Sequence, residues 1–333
     1  MLWTKNLLGN TPDCIQHGCD CLIMTHSIDM DELSIAIKRQ AYALGFDACG
    51  IASVQAEADD GFDAWLDAGF HADMAWMERT RDIRQQVSLK VPGAQSVVVL
   101  AKYYYRADAV PAPDAPRIAR YAWSRDYHRA LAKPLKQLAA HIAELCPGAQ
   151  QYASTDSGPV RERVWAARAG LGWNGRNGLL IHPEFGSWCF LATIITTAKL
   201  TPDTPIPERC GSCCACIEAC PTDAIIADRT VDSRRCISYH TIENRGEIPT
   251  EIAERTSGWI FGCDICQEVC PWNNIPRENA GIEIRAEFAS LDPDALADIS
   301  DEAFRRFFSG TPVMRAKREG ICRNAGIFLR NHK

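Results

Sequence analysis

At 333 residues, with 47% hydrophobic and 23% charged side chains, the sequence has the composition of a globular protein large enough for two or three domains. No apolar run approaches the roughly 20 residues that span a bilayer, and no charged segment followed by an apolar one marks a secretion signal. A net charge of −6 excludes a uniformly basic nucleic-acid binder.

Residues 1–29 read as an atypical leader, a candidate disordered segment, in which Cys14, Cys19 and Cys21 match no familiar ligand spacing. Residues 30–200 then alternate helix and strand signals, so an α+β fold with a mixed α/β first domain is expected. DELSIAIKRQAYALGF carries Leu33, Ile37, Tyr42 and Leu44 at helical spacing, and Gly45 stops it. FDACGIA and SVVVLAKYYY read as strands, with a helix through AWLDAG between them. YHRALAKPLKQLAAHIAELC is a long helix that Pro134 kinks or divides. VWAARAGLG is helical and GSWCFLATIITT is β-rich.

TPDTPIPER, at 201–209, is a proline-rich linker, and a cysteine-rich module follows to about residue 275. The last region, 276–333, reads as short helices ending in a basic tail. Charge is unevenly spread. Ten Lys or Arg face four Asp or Glu between Arg117 and Arg176, and six face one between Val313 and Lys333. Such segments suit either a local phosphate-binding face or ordinary basic helix faces.

Sixteen cysteines in a chain of this size, without a secretion signal, point to metal or cluster ligation rather than a disulfide scaffold. Cys210, Cys213, Cys216 and Cys220-Pro221 have the C-x2-C-x2-C-x3-C-P spacing of a bacterial ferredoxin run, which holds a [4Fe–4S] cluster. Zinc would instead favour two separated C-x2-C pairs. Cys214 falls outside the register. The second run, Cys263-x2-Cys266-x3-Cys270-Pro271, lacks its first cysteine, where Ile260 stands. Two cubanes need eight thiolates and the runs supply seven, so Cys236 is the natural eighth. With the fourth ligands exchanged, one cluster takes Cys210, Cys213, Cys216 and Cys270. The other takes Cys220, Cys236, Cys263 and Cys266. This module should be ferredoxin-like, and the larger first domain should use its electrons.

In STDSGPVRERVWAARAGLGWNGRNGLLI, Asp156 precedes a Gly-Pro turn, an Arg-rich helix and a glycine-rich loop. It is either an ion-pair partner for those arginines or, in an apolar pocket, a proton donor with a raised pKa. The loop is no dinucleotide fingerprint, because it does not follow a strand and open a helix in the required order.

The joint occurrence of HADMAWMERTRDIR, ARYAWSRDYHR, DSGPVRERVWAARAGLGWNGRNG, CGSCCACIEACPTDAI, RRCISYHTIENRG and FGCDICQEVCPWN resembles the epoxyqueuosine reductases over about residues 30–330. The resemblance implies a cobalamin-binding catalytic domain over 30–200, like that of reductive dehalogenases. It implies a two-[4Fe–4S] module over 201–275 and a short helical, HEAT-like region over 276–333. It implies reduction of epoxyqueuosine to queuosine at the tRNA wobble position, the last step of queuosine biosynthesis. Asp156 matches the family's proton donor, expected here to rest protonated because corrin and apolar walls desolvate it. Arg79, Tyr127, Asn177, Ser238 and Asp264 lie in family-like motifs as cobalamin contacts, and Arg245 and the basic tail are expected to meet tRNA phosphates. An external flavodoxin or ferredoxin, a cytoplasmic location, no membrane and a monomeric state complete the expectation. A reductive dehalogenase would share the cofactors but carry an export signal. A bare electron carrier would need no substrate pocket.

Overall fold

The structure, a computed structural model, describes residues 29–56, 61–274 and 283–332. All of the leader but Asp29 lies outside the described residues. The first expected helix is α1 (Met30–Ala43), which buries Leu33, Ile37 and Ala41 on one face, and Gly45 at φ 89° turns the chain out of it.

Two β-rich runs become antiparallel neighbours, β1 (Ala48–Ser53) and β2 (Ser96–Tyr103), with Ile51 opposite Val98. Two later strands, β3 (Gln151–Ser154) and β4 (Cys189–Thr196), complete a sheet in the order β1-β2-β4-β3, antiparallel throughout. Val97 to Leu100 are fully buried, which explains a continuous apolar run in place of alternation.

The long helix α2 (Tyr127–Leu145) packs against α1 and the sheet through Leu131, Leu135, Leu138 and Ile142. It passes through Pro134 without a break. Proline removes the bond to the carbonyl of Ala130, and Ala130 is exposed, so water can serve that oxygen. The short helix α3 (Glu162–Arg168) seats its end on β1 at Gly50, where a Cβ would come within 2.1 Å of the Ala169 carbonyl. Close approach at this one glycine sets α3, and with it the loop joining β3 to α3, at the sheet's end.

The cysteine module contains two one-turn helices in mutual contact, α4 (Ala215–Glu218) and, beyond α5 (Ile237–Ile242), α6 (Ile265–Glu268). Cys216 and Cys266 occupy equivalent places in α4 and α6, the repeat expected of a two-cluster fold. Cys270 is extended (φ −73°, ψ 123°), as the following proline requires.

A second core joins the middle of the chain to its end. Arg117–Ile118 pairs in parallel with β5 (Trp259–Phe261), and Trp123, Phe261, Phe288, Phe308, Ile321 and Phe328 pack around it. The C-terminal helices α7 (Asp301–Phe308) and α8 (Lys317–Asn331) are therefore built into the molecule. Asn324 Nδ2 donates to the carbonyls of Thr241 (3.0 Å) and Ile260 (2.8 Å), and the Arg323 guanidinium donates to those of His240, Asn244 and Gly246. Among the described residues, no helix is long and apolar enough to cross a membrane.

Candidate active site and iron–sulfur centres

The eight expected thiols separate into two groups of four. Cys210, Cys213, Cys216 and Cys270 line one small cavity beside Trp272 and Arg176. Burial raises the pKa of Cys216, and the neighbouring thiolates of Cys270, Cys210 and Cys213 raise it further. Around the second group, burial pushes Cys266 up, with Cys236 and Cys220 among the adjoining charges. Cys263 is raised by burial and again by Cys236 and Cys266. Each group is thus four crowded sulfurs, most of them half-buried, whose ionisation needs a cation to offset it. Among the described residues no trio of His, Cys, Asp or Glu is gathered tightly enough for a single metal ion. Four soft sulfur donors at ferredoxin spacing suit an iron–sulfur cube better than zinc. Cys214 does not line the small cavity, and its thiol lies 2.6 Å from Glu218 Oε1. That hydrogen bond, chiefly, holds it protonated, as a non-ligand should be.

The second group opens on a cleft of about 1980 Å³, which Cys220, Cys236, Cys263 and Cys266 all line. Small-molecule pockets run to roughly 300–1,000 Å³, so this one has room for a macrocycle and a nucleotide together. Tyr121, Tyr127 and Phe190 give it aromatic walls. A hairpin, Trp173–Asn174 with Leu180–Ile181, carries Asn177 at its tip, and Asn177 borders both the cleft and the outer cavity. The glycine-rich loop thus separates the two cysteine groups.

Asp156 reaches the same cleft from the turn between β3 and α3. Its backbone is left-handed (φ 56°), a conformation that aspartate tolerates better than most residues. Its N–H donates to Glu162 Oε1 at 3.1 Å, so the first residue of α3 fastens the turn. Gly158 completes it, because a Cβ there would lie 2.1 Å from Ser154 Oγ. The Tyr127 hydroxyl donates to Asp156 Oδ2 at 2.6 Å, and His128 Nε2 lies 3.5 Å from the same oxygen. Asp126, the N-cap of α2, holds His128 Nδ1 at 2.8 Å. Tyr127 is clamped between the His128 ring (4.2 Å) and the Phe190 ring (4.4 Å).

The expectation of a protonated Asp156 rests on desolvation by a corrin, whereas the protein groups by themselves favour the charged form. Burial does push its pKa up, but hydrogen bonds from His128 and Tyr127 outweigh that, and the carboxyl sits below its ordinary value. The side chain is 64% open, facing the cleft. His128 moves the other way, raised chiefly by its bond to Asp156 against the opposing effect of burial, with Asp126 adding to the rise. The proton therefore rests on the imidazole. Glu162 is pushed up to about 7 by burial and by the Asp156 charge.

The linkage signs are opposite for the two partners. The His128 contribution to stability is full below the ordinary 6.5 and is lost as pH rises through the raised value. That of Asp156 is present above the ordinary 3.8 and is lost as pH falls through the lowered one. The ion pair is complete between those limits. A pH profile of kcat/KM is expected to fall on an ionisation above 6.5, and Asp126→Asn to move that limb toward lower pH. A limb at or below 6.5 in the unaltered protein would contradict the arrangement.

Among the other expected contacts, Tyr127, Asn177, Ser238 and Asp264 line the cleft. Asn177 is committed on both sides, donating to the Cys266 carbonyl (3.3 Å) and accepting from Leu179 N–H (3.2 Å). Asp264 is buried and raised to about 7 by that burial, while accepting from Arg120 N–H at 2.7 Å. Arg79 is exposed at the end of the Ala75–Arg79 helix and does not line the cleft. Arg84 does, anchored to Thr80 Oγ1 at 2.9 Å. Arg245, exposed, donates to the carbonyls of Ile242, Arg315 and Ala316 and braces α5 against the C-terminal segment while keeping its charge. Glu162, His128 and Asp126 were missed as site residues. His128 and Asp126 flank Tyr127 in the DYH triplet, and that adjacency was the available signal.

Residues 209–273 match the 4Fe-4S double cluster binding domain family, and residues 84–157 match the family described as Epoxyqueuosine reductase QueG, DUF1730. The module accordingly binds two [4Fe–4S] clusters. A structure of epoxyqueuosine reductase with a tRNA-Tyr epoxyqueuosine-modified stem loop superposes with TM-score 0.80 at 27% identity, covering 91% of this chain and 82% of that one. A Bacillus subtilis epoxyqueuosine reductase with its catalytic aspartate loop swung out of the active site gives TM-score 0.82 at 28% identity, with the same coverage of 91% and 82%. The epoxyqueuosine reductase of Gloeobacter violaceus is 46% identical over 301 residues, 87% of this chain and 93% of its own length. With the thiol groups, the cleft and the aspartate turn in place, the chain belongs to the epoxyqueuosine reductase family.

Proposed function

We propose that this enzyme reduces the oxirane of epoxyqueuosine to the cyclopentene of queuosine at the wobble position of a tRNA anticodon, the last step of queuosine biosynthesis. Two electrons and two protons are consumed, and the oxirane oxygen leaves as water. The observation that carries the reading is one cleft bordered both by four cluster thiols and by the Asp156–His128 pair. Cobalamin, whose size and aromatic contacts the cleft suits, supplies two-electron reducing power at carbon, fed one electron at a time from the clusters.

The chain's own residues do the rest. Cys213, exposed in the outer group, marks where electrons enter, and the inner group faces the reaction. The Tyr127 hydroxyl and His128 hold Asp156 Oδ2 on the cleft side of its turn. As the oxirane C–O bond breaks, the oxygen becomes a stronger base than the carboxylate. The proton stored at His128 Nε2 then passes through Asp156 Oδ2 to it, and the second proton, which completes the water as the other C–O bond breaks, comes from solvent by the same relay. The target base must leave the anticodon stack to reach this depth. A flavodoxin or ferredoxin is the fitting external donor. A monomeric enzyme acting on tRNA in the cytoplasm completes the proposal.

The decisive assay supplies iron, sulfide, cobalamin and a reductant, then offers an anticodon stem-loop bearing epoxyqueuosine. Corrin absorbance should appear on the protein and queuosine in the digested RNA. A protein that takes up no cobalamin, or a nucleoside that emerges unreduced, overturns the reading.

A further inference from the structure

The basic segments differ once folded. In the C-terminal tail, Arg315 pairs with Glu243 (2.8 Å), Arg318 with Asp301 (3.4 Å), and Arg323 is spent on carbonyls, while the exposed Lys317 and Arg330 lie at opposite ends of α8. On α2 the exposed cations gather into one stripe. Arg129, Lys133 and Lys136 recur at i, i+4 and i+7, so they share one face of the helix, and Arg125 precedes them just before its N-cap. All four are exposed, and among the described residues none is paired with a carboxylate.

Four unpaired cations on a chain of net charge −6 run against expectation, because plentiful carboxylates normally intersperse with them. Arg129 also sits in the first turn, where the helix dipole disfavours positive charge. No structural return offsets that cost. The stripe begins where Tyr127 and His128 enter the cleft and continues outward along roughly 10 Å of helix at about 1.5 Å per residue.

We infer that Arg125, Arg129, Lys133 and Lys136 form the phosphate-binding track that grips the substrate's RNA backbone while the target base enters the cleft. The inference rests on the RNA substrate proposed above. It adds an electrostatic contact on α2 to those expected of Arg245 and the tail. Evenly spaced point charges suit a backbone read by charge and not by sequence.

The test measures binding of the epoxyqueuosine stem-loop by fluorescence anisotropy at several salt concentrations. It compares the holoenzyme with Arg129→Gln/Lys133→Gln/Lys136→Gln. Arg305→Gln/Arg306→Gln, on α7 away from the cleft lining, is the charge-loss control. The triple variant is expected to bind at least about tenfold more weakly at 0.1 M salt. Its salt slope should flatten by about 2 to 3, with iron content and turnover at saturating RNA kept within about twofold. The control is expected to match the unaltered protein. If the unaltered protein binds with a steep salt dependence and the triple variant does the same, or if the control weakens binding equally, the track is wrong and the RNA reading stands. If the unaltered protein does not bind the stem-loop at all, both fall.

Discussion

Asp156→Asn is expected to slow conversion of the modified nucleoside by about 10²- to 10⁴-fold while leaving iron content and cobalamin uptake unchanged. The substitution is chosen to keep the turn. Asparagine accepts the left-handed backbone nearly as well as aspartate, and the N–H that Glu162 holds is retained. Tyr127 still has an oxygen to donate to. What disappears is the negative charge that keeps the proton on His128, together with the group that carries it to the departing oxygen. The pH limb assigned to His128 should therefore move down toward 6.5 along with the loss of rate. Two readouts moving together distinguish a lost proton path from a displaced loop, which would lower the rate without relocating the limb. Turnover at the unaltered rate in a cobalamin-loaded Asp156→Asn protein would remove Asp156 from the chemistry.

The features that could be read from the sequence are those fixed by local spacing. The ferredoxin runs depend on intervals of two or three residues, the eighth thiol, Cys236, follows from counting seven where eight are needed, and the fold lines one cavity with four of these sulfurs and the cleft with the other four. The strand at Ser96–Tyr103 and the helix at Tyr127–Leu145 are long and strongly patterned, so tertiary context had little to override. Asp156 was recognisable from the residues around it, but its charge state was not. Sequence cannot show that a tyrosine and a histidine from another helix converge on one carboxylate oxygen. Arg79 and Arg84 lie five residues apart on two short helices, and only the bend between them decides which faces the cleft. Arg245 read as a free cation because its partners are backbone carbonyls, which carry no sequence signal. The same blindness hid the track on α2, since a net charge does not reveal which cations find partners.

Cys236→Ala is expected to lower iron from about eight to about four or five atoms per chain and to reduce RNA turnover below detection, whereas Cys214→Ala should change neither. The contrast follows from where each sulfur sits. Cys236 lies between the two runs, extended (φ −79°, ψ 122°) just before α5, and it borders the cleft beside Cys220, Cys263 and Cys266. Its removal leaves three crowded thiols, two of them raised well above the ordinary range chiefly by burial, with one corner of the cube open to water. Because the inner group alone opens on the cleft, its loss should stop electrons arriving even while the outer cluster still accepts them from the donor. Reduced-state electron paramagnetic resonance would then show one cluster signal in place of an interacting pair. Cys214 is neighbour to the outer group, yet its proton is committed to Glu218 and its position lies off the ligand spacing. Should Cys236→Ala keep its full iron and its activity while Cys214→Ala loses half, the ligand sets would have to be redrawn, and with them the order in which electrons cross from the exposed Cys213 to the cleft.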